Sequence, residues 1–232
     1  MLYLIGLGLG DEKSLSLEAI EAAKKCKCYC ELYTNKWFGN IAGLERLVET
    51  GVKELKRKDL EEGTEEIVRE ARQKDIAIFV PGDPLAATTH VELVLEAKKQ
   101  GTEVKIIHNS SIFSAVAESG LQLYKFGRTA TVPFSGQMEA VKEALEANRA
   151  AGLHTLLLLD LDVEGKKYMT VPEALKMLGN LVQGKVIAAS RLGYQPKIAY
   201  GAKEDMRDIG TPAVLVVPGK LHFKEEEFLK SL

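Results

Sequence analysis

Four segments combine reactive residue types with positions where a strand would hand over to a helix. The most informative is Phe79-Val80-Pro81-Gly82-Asp83-Pro84-Leu85-Ala86. It follows the apolar run Ile76–Val80 and so sits at the carboxyl end of a buried strand, where open α/β sheets place ligands. Two prolines stiffen the turn, Gly82 permits close approach, and Asp83 projects a fixed acceptor. A carboxylate there suits a ligand carrying hydroxyls, an ammonium or a sulfonium, and disfavours phosphate. The same carboxylate could instead close its own turn or cap the next helix. Asn109-Ser110-Ser111-Ile112-Phe113 also joins a strand to a helix; its hydroxyls and amides suit polar ligand atoms or ordinary N-capping. Val217-Pro218-Gly219-Lys220-Leu221-His222 follows the last strand, and Lys220 either meets an acidic substrate group or is a surface lysine.

The fourth segment, Gly6-Leu7-Gly8-Leu9-Gly10, invites a dinucleotide reading, with Glu31 placed like a ribose-binding acid at the end of the second strand. The spacing argues against it. The fingerprint is G-x-G-x-x-G with its third glycine inside the helix, whereas here the glycines alternate and Asp11-Glu12 would repel a pyrophosphate. A tight turn or a different ligand against the glycine backbone are the remaining readings. His90, His108, His154 and His222 form no triad or metal spacing, and no residue stands out as a general base. Cys26, Cys28 and Cys30 alternate on one strand face without the turn that a C-x-x-C metal site needs, which suits small core residues.

These segments need a scaffold, and the hydrophobic pattern supplies one. Strands are expected at Leu2–Leu7, Cys26–Leu32, Ile76–Val80 and Val104–His108, and helices at Leu17–Lys25 with Ser16 as N-cap, Ile41–Glu49, Thr64–Gln73, Thr88–Gln100 and Ile112–Ser119. This βαβα pattern defines a first α/β domain, 1–122, with the less periodic Leu121–Arg128 as linker. The second domain, 123–232, has strands near Thr129, His154–Leu159, Val186–Ser190, Lys197–Gly201 and Ala213–Val217. Its helices are Met138–Ala150, a capped helix Thr170–Leu178, and Glu225–Leu232. The chain of 232 residues has 46% hydrophobic residues and a net charge of -2, which suits globular domains without a global basic field for nucleic acid. No apolar run reaches the ~18 residues of a membrane span and the start is unlike a signal peptide, so a cytoplasmic protein is expected.

Taken together, Leu2–Leu9, Pro81–His90 with its Ala-Thr-Thr-His extension, Ser111–Val116, Leu123-Tyr124-Lys125-Phe126-Gly127, Gly152–Leu157, Tyr168-Met169-Thr170 and Val217–His222 resemble the tetrapyrrole methylase superfamily, and within it the diphthamide-pathway branch. The resemblance implies two α/β domains with S-adenosylmethionine in a cleft between them, usually in a homodimer. It implies a cofactor shell of Leu9, Asp83, Ala86, Ser111 and Ile112 from the first domain and Leu159, Leu192 and Ala213 from the second. Around Leu192 the chain reads Ser190-Arg191-Leu192-Gly193, where the family usually has Ala-Arg-Ala-Gly. The loops after Phe134 and after Gly179 are shorter than the family's. The implied reaction is N-methylation of the amino group of a modified histidine on elongation factor 2, leaving S-adenosylhomocysteine; the compact chain fits the archaeal type, which stops at the trimethylammonium product. A tetrapyrrole precursor methylase, an NAD-dependent oxidoreductase and a non-catalytic binding module are the alternatives.

Overall fold

A computed structural model describes residues 1–232 as two compact units, Met1–Phe113 and Ser114–Leu232. The first carries five parallel strands: β1 (Leu2–Gly6), β2 (Lys27–Glu31), β3 (Val52–Leu55), β4 (Ile76–Val80) and β5 (Val104–Ile107), in the order β3-β2-β4-β1-β5. Alternate residues of β4 feed two cores. Ala77 and Phe79 join the cluster under α1 (Leu17–Ala23) and α2 (Ile41–Val48), while Ile76, Ile78 and Val80 join that of α3 (Arg57–Glu61), α4 (Thr64–Ala71) and α5 (Val91–Lys99). A sheet buried on both faces needs such continuous apolar strands. Ser16 caps α1 as its position implied, accepting from the Ala19 N–H. Cys26, Cys28 and Cys30 are free thiols in the first of these cores, and burial pushes Cys26 up to about 11 and Cys28 up to about 12. They fill space as protonated small residues.

In the first unit, two elements lay outside the sequence expectation. Val52–Leu55 is an edge strand buried only at its ends, and α3 follows it directly. The helix expected from Thr88 begins at Val91, because Thr88 and Thr89 stay in the loop that His90 closes.

Beyond the short helix α6 (Ile112–Ala115), the second unit holds β6 (Ala130–Val132), α7 (Glu139–Ala151), β7 (Thr155–Leu159), the hairpin β8 (Leu161–Asp162) and β9 (Lys167–Tyr168), α8 (Val171–Leu178), β10 (Lys185–Ser190), β11 (Lys197–Ala202), β12 (Ala213–Val217) and α9 (Phe223–Leu229). Its five-stranded sheet runs β11-β10-β12-β7-β6, parallel only between β6 and β7. The capping box before α8 forms as expected: the Thr170 N–H donates to Glu173 and the Glu173 N–H to the Thr170 hydroxyl. Helix α9 starts at Phe223, ahead of the expected Glu225, because His222 serves as its N-cap. The second unit claims residues 114–122, ahead of the expected boundary at 122/123. The Val116–Ser119 turn packs on β10, Glu118 accepts from the Gly193 N–H at 2.7 Å, and the Phe228 ring covers Gly120. No helix of the chain is long and apolar enough to cross a membrane.

Candidate functional site

In the first unit β1 and β4 are neighbours, yet the chain leaves β1 towards β2 and leaves β4 towards β5. The two crossovers pass over opposite faces of the sheet, with α1 on one and α5 on the other, and such a parting of connections opens a crevice at the carboxyl ends of adjacent strands. The loops after β1, β4 and β5 meet there. Gly8 and Gly82 exchange backbone hydrogen bonds of 3.0 and 2.9 Å, which ties the first two loops together. Asn109 ties in the third: its Nδ2 donates to the Gly6 and Ser14 carbonyls, both at 3.0 Å. The alternating glycines make this packing possible. A Cβ on Gly6 would lie 2.6 Å from the Gly82 carbonyl oxygen and 2.7 Å from Asn109 Cβ, and Gly8 adopts φ +72°.

Asp83 is the hub of the crevice. Its Oδ1 accepts from the Leu85 N–H at 3.0 Å, and its Oδ2 accepts from His108 Nδ1 at 2.7 Å and from the Asn109 N–H at 3.2 Å. The carboxylate therefore closes its own turn and also clamps the β4 loop to the β5 loop. Turn closure and a fixed acceptor were separate readings of the sequence; here one side chain is placed for both. Leu9 and Ala86 are half-buried on the first two loops, and Ser111 and Ile112 are half-buried where the third enters the helical turn Ile112–Ala115. All five first-unit positions named from the sequence lie on these three loops. Asn109 was noticed only as part of a segment, and His108 not at all as a partner of Asp83. Their contacts span 25 residues or more, beyond any local signal.

The dinucleotide reading loses its acid. Glu31 is fully buried, held by the Thr34 hydroxyl at 2.6 Å and the Thr34 N–H at 3.2 Å, and burial raises its carboxyl to about 7. It cannot reach a ribose.

In the second unit, Leu159 ends β7, Leu192 follows β10 and Ala213 opens β12. The registers Val214↔Leu158 and Ser190↔Ala213 bring these positions to one end of the sheet, although they are distant in sequence. All three are buried there. The Pro-Gly-Lys-Leu-His segment does something else. Gly219 N–H donates to His154 Nδ1 at 2.9 Å, which leaves Nε2 carrying the proton to donate to Glu225 Oε1 at 3.1 Å. Glu225 also accepts from the Gln122 and His222 N–H groups and from Lys125. Burial opposes its charge, but the Gln122 and His222 N–H groups, with Lys125 and His154, hold its carboxyl down at about 2. Lys125 also donates to the Lys220 carbonyl at 2.7 Å, and the Lys220 side chain is exposed. Three segments that had stood out separately in the sequence, Leu123–Gly127, Gly152–Leu157 and Val217–His222, thus share one buried network.

The family profile of the Tetrapyrrole (Corrin/Porphyrin) Methylases matches residues 1–200. The chain belongs to this family. Among the tetrapyrrole methylases it is similar over its full length to the diphthine synthase of Methanocaldococcus jannaschii, at 41% identity covering 100% of this chain and 98% of that one. The diphthine synthase of Methanococcus maripaludis strain C5 is 39% identical at the same coverage. A crystal structure of diphthine synthase superposes with a TM-score of 0.92 at 36% identity, covering 99% of this chain and 94% of that chain. The parallel first sheet and mixed second sheet are thus those of a tetrapyrrole methylase, and the chain is a methyltransferase.

Proposed function

We propose that this methyltransferase transfers methyl groups from S-adenosylmethionine to the amino group of the modified histidine of elongation factor 2, forming diphthine and S-adenosylhomocysteine, as a homodimer in the cytoplasm. The observation that carries the cofactor assignment is the Asp83 carboxylate, fixed by three donors at the switch point of a parallel sheet. The loops beside it, Pro81–Thr89 and Asn109–Ile112, contain no lysine or arginine. An acidic and otherwise neutral wall fits a cationic sulfonium and ammonium ligand and does not fit a phosphate. The full-length similarity to diphthine synthases supports the substrate.

S-adenosylmethionine supplies a methyl group on a sulfonium whose departure leaves a neutral thioether, so no general acid is needed. The residues of the chain then have three tasks. Asp83 faces positive charge on the ligand, and Leu9, Ala86 and Ile112 offer apolar surface, with the Ser111 hydroxyl among them. Holding the two reactants in line contributes roughly 7–11 kcal/mol to such a displacement. The attacking amine must be neutral; with a pKa near ~8, roughly a tenth is so at pH 7, and each transfer releases a proton to be carried away.

The test is transfer of labelled methyl groups to elongation factor 2 bearing the unmethylated intermediate. Incorporation that depends on that intermediate is expected. Cofactor binding without label transfer would overturn the substrate, and label entering a tetrapyrrole precursor instead would favour the superfamily's other chemistry.

A further inference from the structure

Next to the β4 loop lie two titratable side chains that the transfer reaction does not use. Glu31 ends β2 and is fully buried. His90, 4% exposed, closes the loop that runs from Asp83 through Ala86 into α5. Its Nδ1 is hydrogen-bonded to the Thr88 hydroxyl. Its Nε2 is buried and makes no hydrogen bond of ordinary length, but faces Glu31 Oε1 at 3.5 Å. A buried imidazole nitrogen needs a partner, and the carboxyl oxygen is the polar atom in front of it.

The proton count admits two arrangements. When Glu31 is neutral, its O–H donates to Nε2, the ring carries its proton on Nδ1, and Nδ1–H donates to Thr88 Oγ1. The Thr88 O–H is then free to donate elsewhere. When Glu31 is ionised, the ring carries its proton on Nε2 and donates it to the carboxylate, and Nδ1 accepts the Thr88 O–H. One proton has left, and Thr88 has changed from donor to acceptor towards its loop. In either arrangement the 3.5 Å gap between Glu31 and His90 closes by roughly 0.5 Å to an ordinary hydrogen bond.

We propose that Glu31, His90 and Thr88 form a tautomer relay in which the protonation of Glu31 sets the hydrogen-bond polarity that Thr88 presents to the loop carrying Ala86. The three are positioning residues, and the consequence for the cofactor rests on the methyl-donor reading above.

The surroundings place the switch in a useful range. Burial lifts Glu31 to about 7 against the Thr34 hydroxyl and N–H, the Tyr33 N–H and the Arg57 guanidinium beyond β3. Burial pushes His90 down to about 4, so the ring stays neutral while Glu31 titrates. Cys30, next to Glu31 on β2, is raised by burial and by Glu31 and Glu54, and stays uncharged.

The deciding experiment follows the ¹⁵N signals of the His90 ring in the ligand-free full chain from acidic to alkaline pH. The expected result is an Nδ1–H tautomer below about 7 that converts to Nε2–H above it, with no conversion in Glu31→Gln. A single tautomer throughout in the wild type, or the same conversion in Glu31→Gln, would overturn the relay. Calorimetry with S-adenosylmethionine over the same range reads the consequence. A change in affinity of roughly two- to tenfold, the worth of one neutral hydrogen bond, is expected across the transition. It should be kept in Thr88→Ser and lost in Thr88→Val. Tautomer conversion without any change in affinity would overturn the positioning role. Tautomer conversion in a chain that binds no S-adenosylmethionine at any pH would sink the methyl-donor reading and leave the relay standing.

Discussion

Asp83 holds three hydrogen-bond donors on one carboxylate, so its replacements separate two jobs. Asp83→Ala abandons the Leu85 and Asn109 N–H groups and His108 together. Hydrogen bonds to a charged group are worth about 1.5–3 kcal/mol each, so S-adenosylmethionine binding should weaken at least about tenfold by calorimetry. Asp83→Asn keeps an oxygen for the turn but loses the charge and turns an amide NH2 toward the His108 and Asn109 donors; affinity should fall, with a smaller loss of melting temperature than in Asp83→Ala. Unchanged affinity in both variants would remove Asp83 from the cofactor shell. The glycines make a second contrast. In Gly6→Ala the new methyl meets the Gly82 carbonyl oxygen at 2.6 Å, so the loops must part, at a cost of about 1–3 kcal/mol in thermal denaturation. In Gly82→Ala the nearest atom is the Ser110 carbonyl oxygen at 3.9 Å, but φ is +73°. The cost there is the left-handed backbone alone, about 1–2 kcal/mol, and the loop junction should survive. The sequence exposed Asp83 because a rigid turn is a local pattern. Asn109 looked like any N-cap because its partners, Gly6 and Ser14, lie 103 and 95 residues away.

Element boundaries followed the same division between local and distant causes. The start of α8 was legible because Thr170, Pro172 and Glu173 act within one turn. Strand β3 was not, since in Val-Lys-Glu-Leu only the two ends are buried and no alternation shows. Helix α9 is held from outside itself. Its Glu225 takes hydrogen bonds from Gln122, Lys125, His154 and His222, and no local pattern announces a buried carboxylate with partners up to 103 residues away. Removing one member of a buried charge pair typically costs about 3–5 kcal/mol, because the other is left without compensation. Glu225→Gln is therefore expected to lower the urea midpoint and to raise amide exchange in α9 first. The pH dependence has a definite sign. The folded carboxyl sits at about 2, below its ordinary 4.5, so its contribution is present above 4.5 and is lost as pH falls through about 2. The decline in stability over that acid interval should flatten in Glu225→Gln.

At the scale of the whole chain, two α/β units were legible because buried parallel strands such as Ile76–Val80 are unbroken apolar runs. The place of division was less so, since residues 114–122 are assigned by long-range packing on β10 and α9 and not by their own pattern. Global stability against pH offers a measurement at the same scale, and Glu31 and His90 set its shape between them. Folding raises Glu31 from 4.5 to about 7 and lowers His90 from 6.5 to about 4, in both cases through burial. A carboxyl with a raised value stabilises the fold fully below 4.5, and that contribution is lost as pH rises through about 7. A histidine with a lowered value stabilises the fold above 6.5, and loses that contribution as pH falls through about 4. Each effect is on the order of 3 kcal/mol, and over the shared interval they oppose each other. The unfolded chain keeps one proton on the histidine, the folded chain keeps one on the glutamate, and the count does not change. The wild-type pair should thus add almost no slope to stability between 4.5 and 6.5. Glu31→Gln leaves the histidine alone, so stability should climb with pH across that interval. His90→Asn leaves the glutamate alone, so stability should decline with pH and continue to fall to about 7. Urea unfolding of the three proteins at matched ionic strength would show the opposite slopes. Parallel curves would mean that the two groups do not exchange one proton between the unfolded and folded chain.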